Sequence, residues 1–118
     1  MHGLSAGAVV AEAACPIDHA HLGRYTMGSR PLEIEVLQLF AGQAPSTFAD
    51  LVAAADAKSW HIAAHTLKGS ARAVGAFEVG RAAEQAERAG HDRPERAALL
   101  VRIKALLDET QSYIEGLR

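Results

Sequence analysis

Apolar residues recur at three- and four-residue steps along most of this chain, which is the period of amphipathic α-helices. One apolar stripe predicts a long helix from about Arg30 to Ala55, with Pro31 in its first turn. Because the stripe keeps its phase across Pro45, we predict one kinked helix there and not two separate helices. The stripe consists of Leu37, Phe40, Ala44, Phe48, Leu51 and Ala55.

A second apolar stripe predicts a helix with two distinct faces. Asp56 is a suitable N-cap for this helix, and Gly75 favours the left-handed conformation that ends one. With about 100° of rotation per residue, the apolar face is predicted to bury its side chains. That face carries Trp60, Ala63, Ala64, Leu67, Ala71 and Val74. The opposite face carries His61, His65, Lys68, Gly69 and Arg72.

Three further helices are predicted from start and stop signals. A short one, capped by Asp18, runs from His19 to about Met27, with Ile17 and Leu22 pointing inward. Ser29 then caps the long helix.

Another helix runs from about Phe77 to Ala89 and ends at Gly90. Asp92 and Glu95 have the spacing of a capping box, which predicts the start of the last helix. The apolar stripe of that helix is Leu100, Ile103, Leu107, Thr110, Ile114 and Leu117.

Four substantial helices joined by short turns, with a short one in front, predict an all-α fold. We expect an antiparallel up-down four-helix bundle with a short extra N-terminal helix. Residues 1–16 lack a sustained hydrophobic period and are predicted to be a flexible N-terminal tail. Residues 17–118 are predicted to form a single helical domain.

The amino-acid composition is consistent with a helical fold, and the net charge limits the kinds of partner that the chain could bind. Aromatic residues make up only 5% of the 118, and Ala, Leu and Val dominate the apolar content, which favours closely packed helices. A net charge of −2 provides no general attraction to nucleic acid or to an anionic membrane. The single cysteine, Cys15, cannot form an internal disulfide. With no signal-peptide pattern and no apolar run long enough to span a bilayer, we expect a cytoplasmic protein that contacts neither membrane nor nucleic acid.

Gly69 is the least expected residue of the two-faced helix. A glycine inside a helix costs about 1 kcal/mol relative to alanine, and this one faces away from the core. Its absence of a side chain leaves room beside His65 for a partner or a phosphoryl group. With a pKa of about 6.5, an ordinary histidine is largely neutral at neutral pH, and neutral imidazole is a nucleophile. Lys68 and Arg72 could pair with phosphoryl oxygens.

Glu87 is predicted to lie level with His65. The two residues are about equally far from the turn at Gly75-Ala76, so an antiparallel hairpin would bring them to the same height. Glu87 could then accept a hydrogen bond from Nδ1–H of His65 and leave Nε2 free to attack. The alternative is a solvated glutamate that pairs with nearby arginines.

The run His65-Thr66-Leu67-Lys68-Gly69-Ser70-Ala71, followed by Gly75-Ala76 and Glu87, resembles the signature of histidine-containing phosphotransfer (HPt) domains. The resemblance extends from about Ile17 to the C-terminus. It departs from the family at Ala83 and Ala86, where larger apolar residues are common, and in the tail before Ile17.

This resemblance implies a phosphorelay carrier without kinase activity of its own. His65 would accept a phosphoryl group from the aspartyl-phosphate of one receiver domain, or from a histidine kinase pathway, and pass it to another receiver aspartate. The expected partners are response-regulator receiver domains and a hybrid sensor histidine kinase. The chain itself would be a monomer that binds no cofactor and no metal, and Mg²⁺ would come from the receiver. His61 and Ile62 are candidates for the docking surface, although Ile62 could instead be buried against the short leading helix.

Two other interpretations remain open. His61 and His65 are four residues apart on one face, a spacing that lets two imidazoles share a metal ion, with Glu87 or His91 as a third ligand. Lys68 beside such a site would repel a cation. Alternatively, the chain could be a non-catalytic helical bundle that binds another protein through the exposed face, including a relay protein that keeps only the fold.

Overall fold

A computed structural model describes residues 15–117 of the chain, and these residues form five α-helices and no β-strand. Most of the predicted N-terminal tail therefore lies outside the described residues. The helices are α1 (His19–Thr26), α2 (Arg30–Ala53), α3 (Ala57–Ala73), α4 (Phe77–Ala89) and α5 (Arg96–Glu115). The prediction of an all-helical fold is confirmed.

The first three helices start where the sequence predicts, because a short polar side chain caps each one. Asp18 accepts a hydrogen bond from the backbone N–H of His21, and Ser29 accepts one from Leu32. The Asp56 carboxylate accepts at 2.7 Å from the N–H of Ser59. Each bond satisfies a backbone donor that has no partner inside its own helix.

Helix α2 passes through Pro45 without a break, as its continuous stripe predicts, but it ends earlier than expected. The helix stops at Ala53, and the backbone of Ala54 is already extended. As a result Ala54 is buried in the core and Ala55 is exposed, so the prediction of Ala55 as a core residue is wrong.

The turn between α3 and α4 depends on Gly75. Its φ of +83° is in the left-handed region, and a Cβ atom there would lie 2.8 Å from the carbonyl oxygen of Asp18. The Gly75 carbonyl in turn accepts a hydrogen bond of 2.9 Å from the N–H of Asp18. This close contact attaches the start of α1 to the α3–α4 turn. Helix α4 then has the predicted bounds, Phe77–Ala89.

The predicted capping box of α5 is wrong. Residues 91–95 form turns, the helix begins at Arg96, and no side-chain hydrogen bond caps it. A capping box would make Asp92 the N-cap and Glu95 the third residue of the helix, whereas Glu95 lies immediately before the first helical residue. The Arg96 guanidinium donates a hydrogen bond to the carbonyl oxygen of His91, and this bond links the two ends of the turn region.

The helices enclose one apolar core. Helix α3 packs against α2 and α4, α5 packs against α4 and α2, and α1 contacts α2. Trp60 is the largest fully buried side chain, and its indole N–H donates at 2.7 Å to the carbonyl oxygen of Ala86 on α4. Leu100 and Leu117, predicted in the core, are half-buried at its edge. The packing of α3 on α4 fixes which side of α3 faces outward.

Candidate functional site

Helix α3 has the two faces that its sequence predicts. The whole apolar stripe is buried, with exposed fractions of 0–6%. On the opposite face His61, His65, Gly69 and Arg72 are exposed, and Lys68 is half-buried. Because α4 packs along one edge of α3, side chains from α4 can reach this polar face.

His65 contacts Glu87 across the α3–α4 pair. Nδ1 of His65 lies 3.1 Å from Oε2 of Glu87, a hydrogen-bonding distance. The histidine side chain is 63% exposed, whereas that of Glu87 is only 13% exposed. Among the described residues, Nε2 of His65 has no hydrogen-bond partner in the protein. One ring nitrogen therefore faces an acceptor, and the other is left available.

Glu87 is the polar centre of this surface. Its Oε1 accepts a hydrogen bond of 2.7 Å from Nζ of Lys68, so Lys68 and His65 occupy different oxygens of one carboxylate. The hydrogen bond from Lys68 is the main reason that the pKa of Glu87 lies below its usual value. Partial burial opposes this shift, and the hydrogen bond with His65 adds to it. The carboxylate is thus kept ionised beside the histidine.

His61 shares the same carboxylate oxygen. Its Nδ1 lies 3.4 Å from Oε2 of Glu87, and its ring stacks on that of His65 with 5.6 Å between centroids and 17° between planes. The i, i+4 spacing in the sequence indicates that the two rings are neighbours. It does not indicate that both face Glu87, because that depends on how α4 is rotated against α3.

Gly69 borders open space. A Cβ atom built on it would have no heavy atom of a neighbouring residue within 4 Å, apart from the backbone of its own helix. Arg72, one turn further along α3, points its guanidinium at α4 and donates at 2.7 Å to Glu84. Ser70 donates its hydroxyl hydrogen to the carbonyl oxygen of Leu67, which is a local structural role.

Ile62 is 53% exposed, so the alternative of burial against α1 is wrong. Beside it lies an open groove of about 530 Å³ between α2 and α3. Its lining includes Thr47, Asp50, Asp56, Ser59 and Thr66 as well as Ile62. Four alanines complete the lining, so an exposed apolar side chain and a groove of mixed polar and apolar surface are accessible next to the histidine-bearing face.

The comparison with known families assigns the chain to a known kind of domain. The family model described as Hpt domain matches residues 35–113, which is more than half of the chain. The chain belongs to the Hpt domain family. The matched region contains α3 and α4 in full and therefore every residue of the site. No curated protein and no solved structure gives a significant match.

Membership of the Hpt domain family places the chain in the chemistry of His–Asp phosphorelays. Hpt domains carry phosphoryl groups and interact with response regulators and kinases. None of the helices in residues 15–117 is both long enough and apolar enough to cross a lipid bilayer.

Proposed function

We propose that His65 carries the phosphoryl group in this Hpt domain. It would accept the group from the aspartyl-phosphate of a receiver domain and pass it to the aspartate of another. The observation that carries the proposal is the 3.1 Å contact between Nδ1 of His65 and Oε2 of Glu87 on an exposed helix face. That contact orients the imidazole and leaves its second nitrogen available to a partner.

Glu87 acts as the orienting residue in this mechanism. With the ring proton on Nδ1 and donated to Glu87, Nε2 presents its lone pair to phosphorus. The N–P bond forms as the P–O bond of the aspartyl-phosphate breaks, and the aspartate leaves as a carboxylate. The imidazolium that results keeps its proton on Nδ1, where the ionised Glu87 stabilises the new positive charge. Transfer to the next receiver is the same step in reverse.

Lys68 and Gly69 act on the phosphoryl group, Lys68 through its charge and Gly69 through the space it leaves. Lys68 is held beside the histidine by Glu87 and offers a cation to phosphoryl oxygens. Gly69 leaves space for the partner's phosphorylated loop, which supports a role in clearance. Arg72 pairs with Glu84, and it would have to exchange that partner for phosphoryl oxygens to stabilise them.

The partner supplies the rest of the machinery. We propose that receiver domains dock over His61, Ile62 and the adjacent groove, bringing their own Mg²⁺ to the phosphoryl group. Phosphoryl transfer depends mainly on positioning and charge neutralisation, so a carrier without kinase activity or cofactor suffices. A hybrid sensor histidine kinase is the expected upstream partner, and the chain would act as a monomer.

We also propose that residues 17–118 form one domain in which α2 to α5 make an antiparallel four-helix bundle. Each of these helices contacts the next one, and α5 contacts α2, which supports a closed arrangement. Helix α1 would be the short extra helix in front of the bundle.

Transfer of label from a phosphorylated receiver domain tests the proposed function. We expect an acid-labile, base-stable phosphoryl group on the wild-type chain, and labelling at background level on His65→Gln. The circular dichroism of the variant should be unchanged, because His65 is exposed. His91→Gln is a matched control in the α4–α5 turn and should be labelled like the wild type. Labelling that persists in His65→Gln would overturn the assignment.

A further inference from the structure

The surface around Glu87 contains the donor set of a transition-metal site. Nδ1 of His61 lies 3.4 Å from Oε2 of Glu87, and Nδ1 of His65 lies 3.1 Å from the same oxygen. Each of the three residues offers one ligand atom, and these three atoms all lie within 4.8 Å of one another. The two histidines come from α3 and the carboxylate comes from α4. The cluster is therefore assembled by tertiary packing and not by helix periodicity alone.

We propose that His61, His65 and Glu87 bind a divalent transition-metal ion of the Zn²⁺ class, and that the bound ion blocks phosphoryl acceptance. Two imidazole nitrogens and one carboxylate oxygen suit Zn²⁺, which binds such ligands at about 2.0–2.2 Å and takes water as a fourth ligand. The stacked rings direct both Nδ1 atoms towards the same oxygen. Both side chains are more than half exposed, so the small shifts that coordination needs meet little resistance from packing.

Lys68 limits the affinity of this site but does not occupy its ligand atom. The ammonium bonds Oε1 of Glu87, whereas both imidazoles face Oε2. Lys68 therefore orients the carboxylate in the way that outer hydrogen-bond partners of metal ligands do. Its positive charge opposes the cation, so the site is expected to exchange metal and not to hold a permanent structural ion.

The donor set also predicts which ions bind. Imidazole ligands favour Zn²⁺, Ni²⁺ and Cu²⁺, whereas Mg²⁺ prefers oxygen ligands and retains its water. The Mg²⁺ needed in a receiver domain should therefore not compete for this site. His91, the other third ligand that the sequence allows, is not part of the cluster that the described residues form.

The inhibitory half of the proposal rests on the proposed function of His65. A metal ion on Nδ1 of His65 takes the lone pair of that nitrogen, so the single proton of the neutral ring resides on Nε2. Nε2 then has no lone pair with which to attack phosphorus, and a second dication stands beside the Mg²⁺ of an approaching receiver. Both effects reduce acceptance of the phosphoryl group.

Calorimetric titration of the metal-free full chain with Zn²⁺ tests the site without reference to activity. We expect the wild-type chain to bind one Zn²⁺ ion, and His61→Ala to bind Zn²⁺ at least about tenfold more weakly. The wild type should bind no Mg²⁺ at the same concentration. His91→Ala should bind like the wild type, and circular dichroism confirms that each variant is folded. Failure of the wild type to bind Zn²⁺, or equal binding by His61→Ala, would overturn the site.

Transfer from a phosphorylated receiver, with and without Zn²⁺, tests the inhibition. Each variant is compared with its own metal-free rate, so that any effect of His61 on docking cancels. Zn²⁺ should slow acceptance by the wild type and by His91→Ala, but much less by His61→Ala. Equal inhibition of all three chains would mean that the ion acts on the receiver and would overturn the regulatory claim. A chain that binds Zn²⁺ yet is never phosphorylated would overturn the proposed function and leave the metal site standing.

Discussion

Glu87 connects the chemistry of the site at the scale of single residues. One carboxylate oxygen holds Lys68, and the other faces both His61 and His65. The Lys68 and Glu87 side chains are only 18% and 13% exposed, and the cost of removing both charges from water offsets much of their attraction, so the pair adds little to stability. Its effect is mainly geometric, because it sets the orientation of the histidine ring and the position of the nearest cation.

Glu87→Gln should slow phosphoryl acceptance by about tenfold while leaving the fold intact. The amide keeps the size of the side chain but loses the charge that stabilises the imidazolium, and a charge-assisted hydrogen bond is worth about 1.5–3 kcal/mol. Single-turnover transfer from a phosphorylated receiver measures the change. Glu78→Gln, which removes an exposed glutamate of the same helix, is the control. Equal rates for the two variants would show that Glu87 does not orient His65.

At the scale of elements, α3 carries a glycine that its own stability does not favour. Gly69 and Gly42 of α2 are both exposed helical glycines, and a Cβ atom on either would have open space around it. Gly42 lies instead beside the C-terminal end of α5, in a groove that includes Gln38 and Ile114. The two glycines are therefore comparable in helix energetics and differ in their distance from the site.

Leucine at either position should raise the free energy of unfolding by up to about 1 kcal/mol, because leucine is a better helix former than glycine. Only Gly69→Leu should also reduce transfer, by about tenfold or more, since its side chain fills the space beside His65. Urea denaturation and receiver transfer measure the two effects separately. Normal phosphoryl transfer by Gly69→Leu would contradict the proposal that Gly69 leaves space for the partner.

Much of the secondary structure is predictable from the sequence because its causes are local. The caps at Asp18, Ser29 and Asp56 depend on atoms three residues apart, and the burial of the α3 stripe follows from helical periodicity. For the same reason the bounds of α4 agree with the sequence. That Glu87 and His65 lie at a similar height along the α3–α4 pair also follows from the sequence, because the two residues are about equally far from Gly75.

Other features depend on distant contacts that a linear pattern does not contain. The start of α5 differs from the capping-box prediction, and the Arg96 side chain bonds carbonyl oxygens 42 and 44 residues earlier in the chain. Similarly, the shared use of one Glu87 oxygen by His61 and His65 depends on the rotation of α4 against α3. The burial of Ala54 in place of Ala55 depends on where α2 unwinds before Asp56.

At the scale of the whole molecule, Arg96 joins parts of the chain that are far apart in sequence. Its guanidinium donates to the carbonyl oxygens of Val52 and Ala54 at the end of α2 and of His91 after α4. It also lies 4.8 Å from the centre of the Trp60 ring, in the geometry of a cation–π contact. One side chain thus satisfies carbonyls at the end of α2 and in the turn after α4.

Arg96→Met should lower the free energy of unfolding by about 1–3 kcal/mol, because it leaves partly buried carbonyl oxygens without donors. Arg102→Met, which removes an exposed arginine of the same helix, should change it by less than about 0.5 kcal/mol. Urea denaturation followed by circular dichroism measures both values. Phosphoryl acceptance per folded molecule should be normal in Arg96→Met, since Arg96 lies outside the site. Equal stability of the two variants would contradict this role of Arg96.

The central claim is that the phosphoryl group resides on Nε2 of His65 while Glu87 holds the proton on Nδ1. Long-range proton–nitrogen NMR of the imidazole rings, recorded after phosphorylation by a receiver domain, tests it most directly. We predict phosphorylation of Nε2 on His65 alone, with Nδ1 still protonated and the rings of His61 and His91 unmodified. A phosphoryl group on Nδ1 of His65, or on His61, or on no histidine would contradict the account.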